Sequence, residues 1–379
     1  MRIDLPTPLL GGLSPRDFMA RHWQKRPLLI RQAVPGMQPI MPRAELFALA
    51  ATEAVESRLV TRAGRRWLLR HGPFKRRALP SISKPKWTLL VQGLDQHVRE
   101  AHDLLERFRF VPDARLDDLM LSYATDGGGV GPHLDSYDVF LLQVQGAREW
   151  RIGRVATPLL SKTAPLKILS NFRAEQAWVL QPGDMLYLPP RWAHEGTARG
   201  ECMTASIGFR APSAYGLADE LLQRWLEQEP DARMLQAREA ARYQDRHQGA
   251  THAPGRIPPG LRKFAADAMR RELADPQRLA RALGELLSEP KENVVFEPGA
   301  GLTRKRAVRL NPRSRLLYDT HHVFINGESF HAAGGDASLL RRLADRHRLA
   351  PGELVKLSPQ AWSLVDEWAR CGWLNVANP

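Results

Sequence analysis

Cysteine is nearly missing from this chain. There are two in 379 residues, Cys202 and Cys371, far apart and in no CxxC spacing. That argues against a disulfide framework and a cysteine zinc site, and suits a reducing compartment. No run of about eighteen apolar residues occurs, and the first residues, MRIDLPTPLLGGLSPRDF, lack a basic segment followed by a long apolar core. Neither a spanning helix nor a secretory leader is expected, and the reading is a soluble, cytoplasmic protein with no membrane partner. Internal repeats and low-complexity tracts are also absent, which argues against a solenoid. Acid is the last shortage: the formal net charge is +14. Between 58 and 77 there is no acid at all against Arg58, Arg62, Arg65, Arg66, Arg70, Lys75, Arg76 and Arg77. A balance this basic suits work near nucleic acid, and the stretch reads equally as a solvated arginine-rich face or as an RNA-facing patch.

What is present is a chain with 43% hydrophobic and 25% charged residues, enough for two or three domains. Ser14, Pro15 and Asp17 form a helix start, Leu28 to Ile30 a short strand, and 42–50 a helix opened by proline. From 117 to 210 short strands follow one another at 119–124, 136–145, 150–154, 176–180, 185–188 and 203–209. Turn residues separate them and no long helix intervenes, so an antiparallel barrel or jelly roll is expected. Beyond 210 the period becomes helical, with Leu217, Leu221, Leu222 and Trp225 and then Leu279, Leu283, Leu286 and Leu287 on stripes. The last part has a hairpin turn at Asn326 and Gly327 and a helix begun at Ser358 and Pro359, which predicts a small α+β, winged-helix-like domain. The expected organisation is 1–212 as the jelly-roll domain with its core at 90–212, 213–295 as a helical region, and 296–379 as the C-terminal domain.

The chemistry is concentrated in GGGVGPHLDSYDVFLLQVQGAREW (127–150) and GDMLYLPPRWAHEG (183–196). On a strand, His133 and Asp135 would share a face, and His194, after the Pro189 and Pro190 bend, would close a triangle. Two imidazoles and a carboxylate on one side of a metal leave open positions, the ligand set of non-haem Fe(II) oxygenases. Arg148 falls on the return strand in phase with Trp150 and Ile152. An inward guanidinium there needs an anion, either a bidentate carboxylate ligand or a nearby acid such as Glu149 or Asp138.

PHLDSYDVFLLQVQGAREWRIG followed by PGDMLYLPPRWAH resembles the JmjC-type 2-oxoglutarate oxygenases, and within them the bacterial ribosomal oxygenases. The resemblance implies a double-stranded β-helix of the cupin or JmjC kind, a helical dimerisation region and a winged helix. It implies Fe(II) on His133, Asp135 and His194, and 2-oxoglutarate and O2 as co-substrates, with the far carboxylate of 2-oxoglutarate on Arg148. Ser122, or in its place Ser206, would add a hydroxyl contact. The implied reaction is hydroxylation of an arginine of a large-subunit ribosomal protein by a homodimer; the basic charge adds ribosomal RNA as a further expected contact. Asp126, Tyr137 and Asp138 are candidates for the substrate rim. The alternatives are a demethylase or hydroxylase of another basic protein, a cupin-fold metal enzyme without 2-oxoglutarate, and a non-catalytic module that docks on nucleic acid or the ribosome.

Overall fold

The computed structural model describes residues 2–64, 66–227, 242–246, 249–250 and 255–376. Arg65 of the basic stretch and parts of the helical region lie outside them. The chain divides into two compact units, Met1–Ala211 and Pro212–Pro379.

The first unit is one antiparallel sheet on which three helices are hung. Its strands are β1 (Leu28–Ile30), β2 (Ser57–Ala63), β3 (Arg66–His71), β4 (Trp87–Val91), β5 (Leu116–Ala124), β6 (Val139–Arg154), β7 (Gln176–Leu180), β8 (Met185–Leu188) and β9 (Trp192–Phe209). They run in the order β1-β8-β6-β9-β5-β4-β2-β3, with β7 also paired to β6. The helices are α1 (Pro15–Arg21), α2 (Arg43–Leu49) and α3 (Arg99–Glu106). Ser14 caps α1 by accepting from the Asp17 amide at 3.1 Å, as the sequence predicts.

Alternation along each strand sorts side chains to two sides. One side carries the main core, in which Leu89, Leu121, Tyr123, Phe140, Tyr187, Ala205 and Phe209 pack under Phe18 of α1 and Phe47 of α2. A fully buried side chain of this size contributes roughly 1.5–3 kcal/mol. The other side curls inward around a smaller cluster of Val139, Leu141, Trp150, Ile152, Leu180, Leu186 and Leu188, and the polar residues of interest share that inner face.

Two of the expected short-strand boundaries are wrong. The pieces expected at 136–145 and 150–154 are one strand, β6, which begins only at Val139, and 203–209 is only the second half of β9. Gly146 is a bulge inside β6, not a turn: its φ is +62° and a Cβ there would sit 2.1 Å from the Glu201 carbonyl oxygen. Both long strands bend there together, since the β6–β9 register shifts between Gln143 and Ala147.

The second unit contains α4 (Ala214–Glu227), α5 (Pro259–Leu273) and α6 (Pro276–Ser288), then β10 (Val308–Leu310), β11 (Leu316–Tyr318), β12 (His322–Ile325) and β13 (Glu328–His331). These are followed by α7 (Gly334–Arg346), β14 (Arg348–Leu349), α8 (Pro351–Leu354), α9 (Pro359–Arg370) and β15 (Leu374–Val376). Strands β11, β12 and β13 form one small sheet and β14, β10 and β15 another. Helix α6, expected in the helical region, is packed on the β12–β13 hairpin: Glu285 accepts from Ser329 Oγ at 2.6 Å and the Gly327 amide donates to Ser288 Oγ at 3.1 Å. No helix among the described residues is long and apolar enough to cross a membrane.

Candidate active site

The site begins as a hydrogen-bonding problem. His133 and His194 form an isolated antiparallel bridge, each amide donating to the other's carbonyl at 3.0 Å. Their rings therefore stand side by side, with centroids 4.2 Å apart. Asp135 is not on a strand, contrary to the expectation. It follows the bridge in a loop tied back by the Arg191 amide, which donates to the Asp135 carbonyl at 3.0 Å. Both ends of the HxD segment are thus fastened to residues 191–194. The glycine loop before it is fastened as well: the Gly127 amide donates to the Ala198 carbonyl at 2.9 Å and the Ala198 amide to the Gly128 carbonyl at 2.8 Å.

These ties bring three donor groups to one point. Asp135 lies 4.0 Å from His133 Nε2 through Oδ1 and 3.5 Å from His194 Nε2 through Oδ2. The ligand atoms of the three residues all fall within 4.8 Å of one another. Nδ1 of His133 is 3.0 Å from the Gly131 carbonyl and Nδ1 of His194 is 3.0 Å from the Trp192 carbonyl. A carbonyl only accepts, so each Nδ1 carries the proton and each Nε2 turns its lone pair toward the shared point. Burial, and then the neighbouring His133, hold His194 down to about 4, so it is neutral and ready to ligate at neutral pH. This donor set fits a divalent metal with open positions.

Arg148 is the second half of the site. On β6 it shares the inner face with Trp150 and Ile152, opposite Ala198, Gly196 and His194 of β9. It is 5% exposed, and its Nε and Nη2 are buried without a hydrogen-bond partner. Nη1 donates to Ser122 Oγ at 3.4 Å, and that hydroxyl donates to the Thr204 carbonyl at 3.1 Å. The acids weighed as its partners are engaged elsewhere. Glu149 holds Arg199 at 3.1 Å, while Asp138 accepts from Tyr187 at 2.6 Å and from Gln24 at 3.0 Å. A buried cation with no counter-ion costs several kcal/mol, roughly 3–5 on the scale of broken buried pairs. The orphaned nitrogens therefore call for a carboxylate from outside the chain. The Trp150 ring adjoins both, 5.7 Å from the Arg148 carbon and 5.8 Å from the His194 ring. A Cβ on Gly196, the cross-strand partner of Trp150, would lie 2.7 Å from that ring, so glycine there gives the indole its room.

The remaining expected residues separate cleanly. Ser122 touches Arg148. Ser206 sits further along β9, on the same face as Thr204 and paired with Met120 and Leu141. Asp126 is turned away: its carboxylate accepts from the Gly200 amide at 2.8 Å, closing the β9 bend. Asp138, fully buried, belongs to the main core with Tyr187, because its position in the strand alternation faces outward from the slot. Tyr137 is 39% exposed at the mouth. Its phenol is raised above its ordinary value by partial burial and by the carboxylates of Asp135 and Asp118. Asp118, Thr204 and Gln143 are buried polar residues that the sequence reading passed over. The signal was available: LDDLMLS and MTAS place Asp118 and Thr204 at the same alternation as Ser122 and Ser206, and VFLLQ places Gln143 in phase with Val139 and Leu141.

Known proteins resemble this chain in sequence and in fold. Residues 103–217 match the JmjC domain and residues 271–375 the ROXA-like winged helix. The ribosomal protein uL16 3-hydroxylase of Escherichia coli (strain K12) is 42% identical over 216 residues, which cover 55% of this chain and 57% of that protein. In sequence, then, the chain spans just over half the length of this curated relative. The crystal structure of E. coli YcfD superposes with a TM-score of 0.85 at 28% identity, covering 96% of this chain and 98% of that one. A YcfD structure in complex with cobalt and 2-oxoglutarate superposes at 0.81, with 28% identity and coverage of 97% and 99%.

Proposed function

We propose that this chain, which is a JmjC-domain protein with a ROXA-like winged helix, is a ribosomal oxygenase that uses Fe(II) and 2-oxoglutarate to hydroxylate an arginine side chain of a large-subunit ribosomal protein. The observation that carries the reading is Arg148, a buried guanidinium with two unsatisfied nitrogens in the same slot as a His-Asp-His triad. Neither a metal isomerase without 2-oxoglutarate nor a docking module has a use for that pair.

In this reading His133, Asp135 and His194 hold the iron, and the carbonyls of Gly131 and Trp192 keep both imidazoles in the ligating tautomer. Arg148 takes the far carboxylate of 2-oxoglutarate in a fork, with Ser122 fixing the guanidinium plane. Trp150 lies along the slot and limits water access. Bound there with dioxygen, the group supplies oxidation of an unactivated C–H bond, yielding succinate, carbon dioxide and a hydroxylated product. The chain's further task is to hold one carbon still at the open side of the triad. Tyr137, exposed beside the carboxylate of Asp135, suits a cationic side chain at that mouth, which supports arginine as the target. The enzyme works in the cytoplasm as a homodimer through its helical region, and ribosomal RNA is a second partner.

Mass spectrometry of large-subunit ribosomal proteins after incubation with the enzyme, Fe(II), 2-oxoglutarate and ascorbate tests this. The expected result is a gain of about one oxygen mass on one arginyl peptide, absent with Asp135→Ala. Co-substrate turnover with no shifted peptide would remove the ribosomal substrate, and a shift unchanged in Asp135→Ala would remove the mechanism.

A further inference from the structure

The oxygenase slot leaves one large feature unused, the cations of 57–94. Between Glu56 and Asp95 the sequence contains no acid. Arg62, Arg66, Arg70, Arg76, Arg77 and Lys84 there are all exposed, and none of them forms an ion pair among the described residues. Elsewhere in the same unit several arginines have an acid beside them: Arg109 has Glu106 and Asp113, Arg31 has Asp184, Arg43 has Glu201 and Arg199 has Glu149. Residues 57–94 hold ten Lys and Arg and no acid, whereas the rest of the unit has twenty of each sign, so the unit's excess positive charge is concentrated on β2, β3 and the segment that follows them.

The heads are also held in place. Arg62 lies over the Trp67 ring at 5.0 Å, Arg70 over Phe74 at 5.5 Å and Arg76 over Phe47 at 5.3 Å. Arg70 in addition donates to the Ala78 carbonyl at 3.2 Å. A guanidinium stacked on one face keeps N–H groups on its rim for an incoming anion, and less rotamer freedom is left to lose on binding. Strand β3 is the terminal strand of the sheet. Arg66 and Arg70 stand on it four positions apart, roughly 13 Å along the chain. Exposed cations without ion-pair partners, three of them stacked, on and beside the terminal strand complement a polyanion.

We propose that the β2–β3 hairpin and the segment from Lys75 to Lys86 form a docking surface for the phosphate backbone of RNA. The choice of RNA over DNA rests on the ribosomal reading above; the charge argument does not. A substrate recognised through its own arginine gains nothing from such a face, so the surface is for the RNA beside the substrate.

The test is fluorescence anisotropy of the full-length protein with a labelled RNA hairpin over a range of KCl concentrations. A DNA hairpin of the same sequence and polyglutamate serve as competitors. The variant Arg66→Gln/Arg77→Gln/Lys84→Gln removes exposed heads only, so its melting temperature should match the parent. Its log–log salt dependence should become shallower by about 2–3, at roughly 0.7–0.9 per lost phosphate contact, with affinity down about tenfold or more. Arg66→Lys/Arg77→Lys should keep the slope. An unchanged slope in the glutamine variant overturns the proposal. Equal competition by polyglutamate overturns it in favour of an acidic protein, and equal competition by DNA overturns the assignment to RNA. Hydroxylation of an isolated arginyl peptide is measured in parallel and should be the same in the variant and the parent. A parent that binds RNA but modifies no peptide sinks the hydroxylase reading alone; normal peptide turnover with no RNA binding sinks this one alone.

Discussion

Arg148 has a full charge, almost no exposure and no counter-ion, and its replacement separates a binding role from a packing role. Arg148→Met keeps the stem volume and removes the charge. KM for 2-oxoglutarate should rise about a hundredfold, since each charge-assisted hydrogen bond is worth roughly 1.5–3 kcal/mol, while Mn(II) affinity at the triad stays put. The co-substrate-free protein should melt no lower, because a buried unpaired charge has been taken away. A sharp fall in melting temperature with unchanged KM would make Arg148 a structural residue. His194 supplies a pH prediction. Its folded value is about 4 against an ordinary 6.5, so the unfolded chain binds more protons between those values. Its contribution is full above about 6.5 and is lost as pH falls toward 4, on the order of 3 kcal/mol. Denaturant titrations of metal-free protein at pH 7, 5.5 and 4.5 should show this decline, and His194→Gln should flatten it. At this scale the sequence picked out three residues that the fold brings together, His133, Asp135 and His194, and the buried Arg148. It was a poor guide to Asp126 and Asp138, because adjacency to a ligand says nothing about which side of a bend a carboxylate takes.

Glycines decide how the elements meet. A Cβ on Gly129 would lie 2.3 Å from the Gly196 carbonyl oxygen, so the loop can approach β9 beside His194 only with no side chain there. Gly129→Ala should push the HxD segment off β9, cost about 1–3 kcal/mol as overpacking does and weaken Mn(II) binding, both measurable by melting with and without the ion. Equal melting shifts in parent and variant on adding Mn(II) would show that the loop does not set the ligand geometry. The same residue type explains what pattern reading could and could not see. The run of alternating strands, their antiparallel class and the return of His194 to the HxD loop were legible, because alternation and turn chemistry are local. Gly146 read as a turn and proved a bulge. The difference lies in the Glu201 carbonyl pressed against it, a contact about fifty-five residues away that no local window contains. Asp135 likewise leaves the strand because the Arg191 amide holds its carbonyl, again a distant partner.

The two units differ in how far their surfaces are spoken for. The stripe expected on α4 is divided. Trp225 is buried against α6, where Arg278 lies over its ring at 4.4 Å and donates to its carbonyl at 2.8 Å. Tyr215 and Leu226 are each 85% exposed and Leu222 is 41% exposed; at positions i, i+7 and i+11 they fall on one face of the helix. Helix α5 adds exposed Leu261, Met269 and Leu273. Single exposed apolar residues need no explanation, but a stripe repeated on two helices of one unit is what a partner covers. The homodimer reading therefore predicts that Leu222→Glu/Leu226→Glu yields a particle with the mass of one chain by sedimentation at about 10 μM, with the parent at twice that mass. A stable dimer interface buries at least about 1,000 Å² in total, more than α4 alone can offer, so α5 must share it and Met269→Glu should act in the same direction. Both glutamate variants leave the triad, Arg148 and the arginine hairpin unaltered. If the dimer only adds stability, succinate release per chain on a short arginyl peptide is unchanged in the monomer. If the partner chain helps to form the substrate mouth, KM for the peptide rises while KM for 2-oxoglutarate stays, and that split identifies the helical region as part of substrate recognition. A parent that sediments as a single chain at this concentration removes the homodimer reading, leaving the exposed stripe for a different protein.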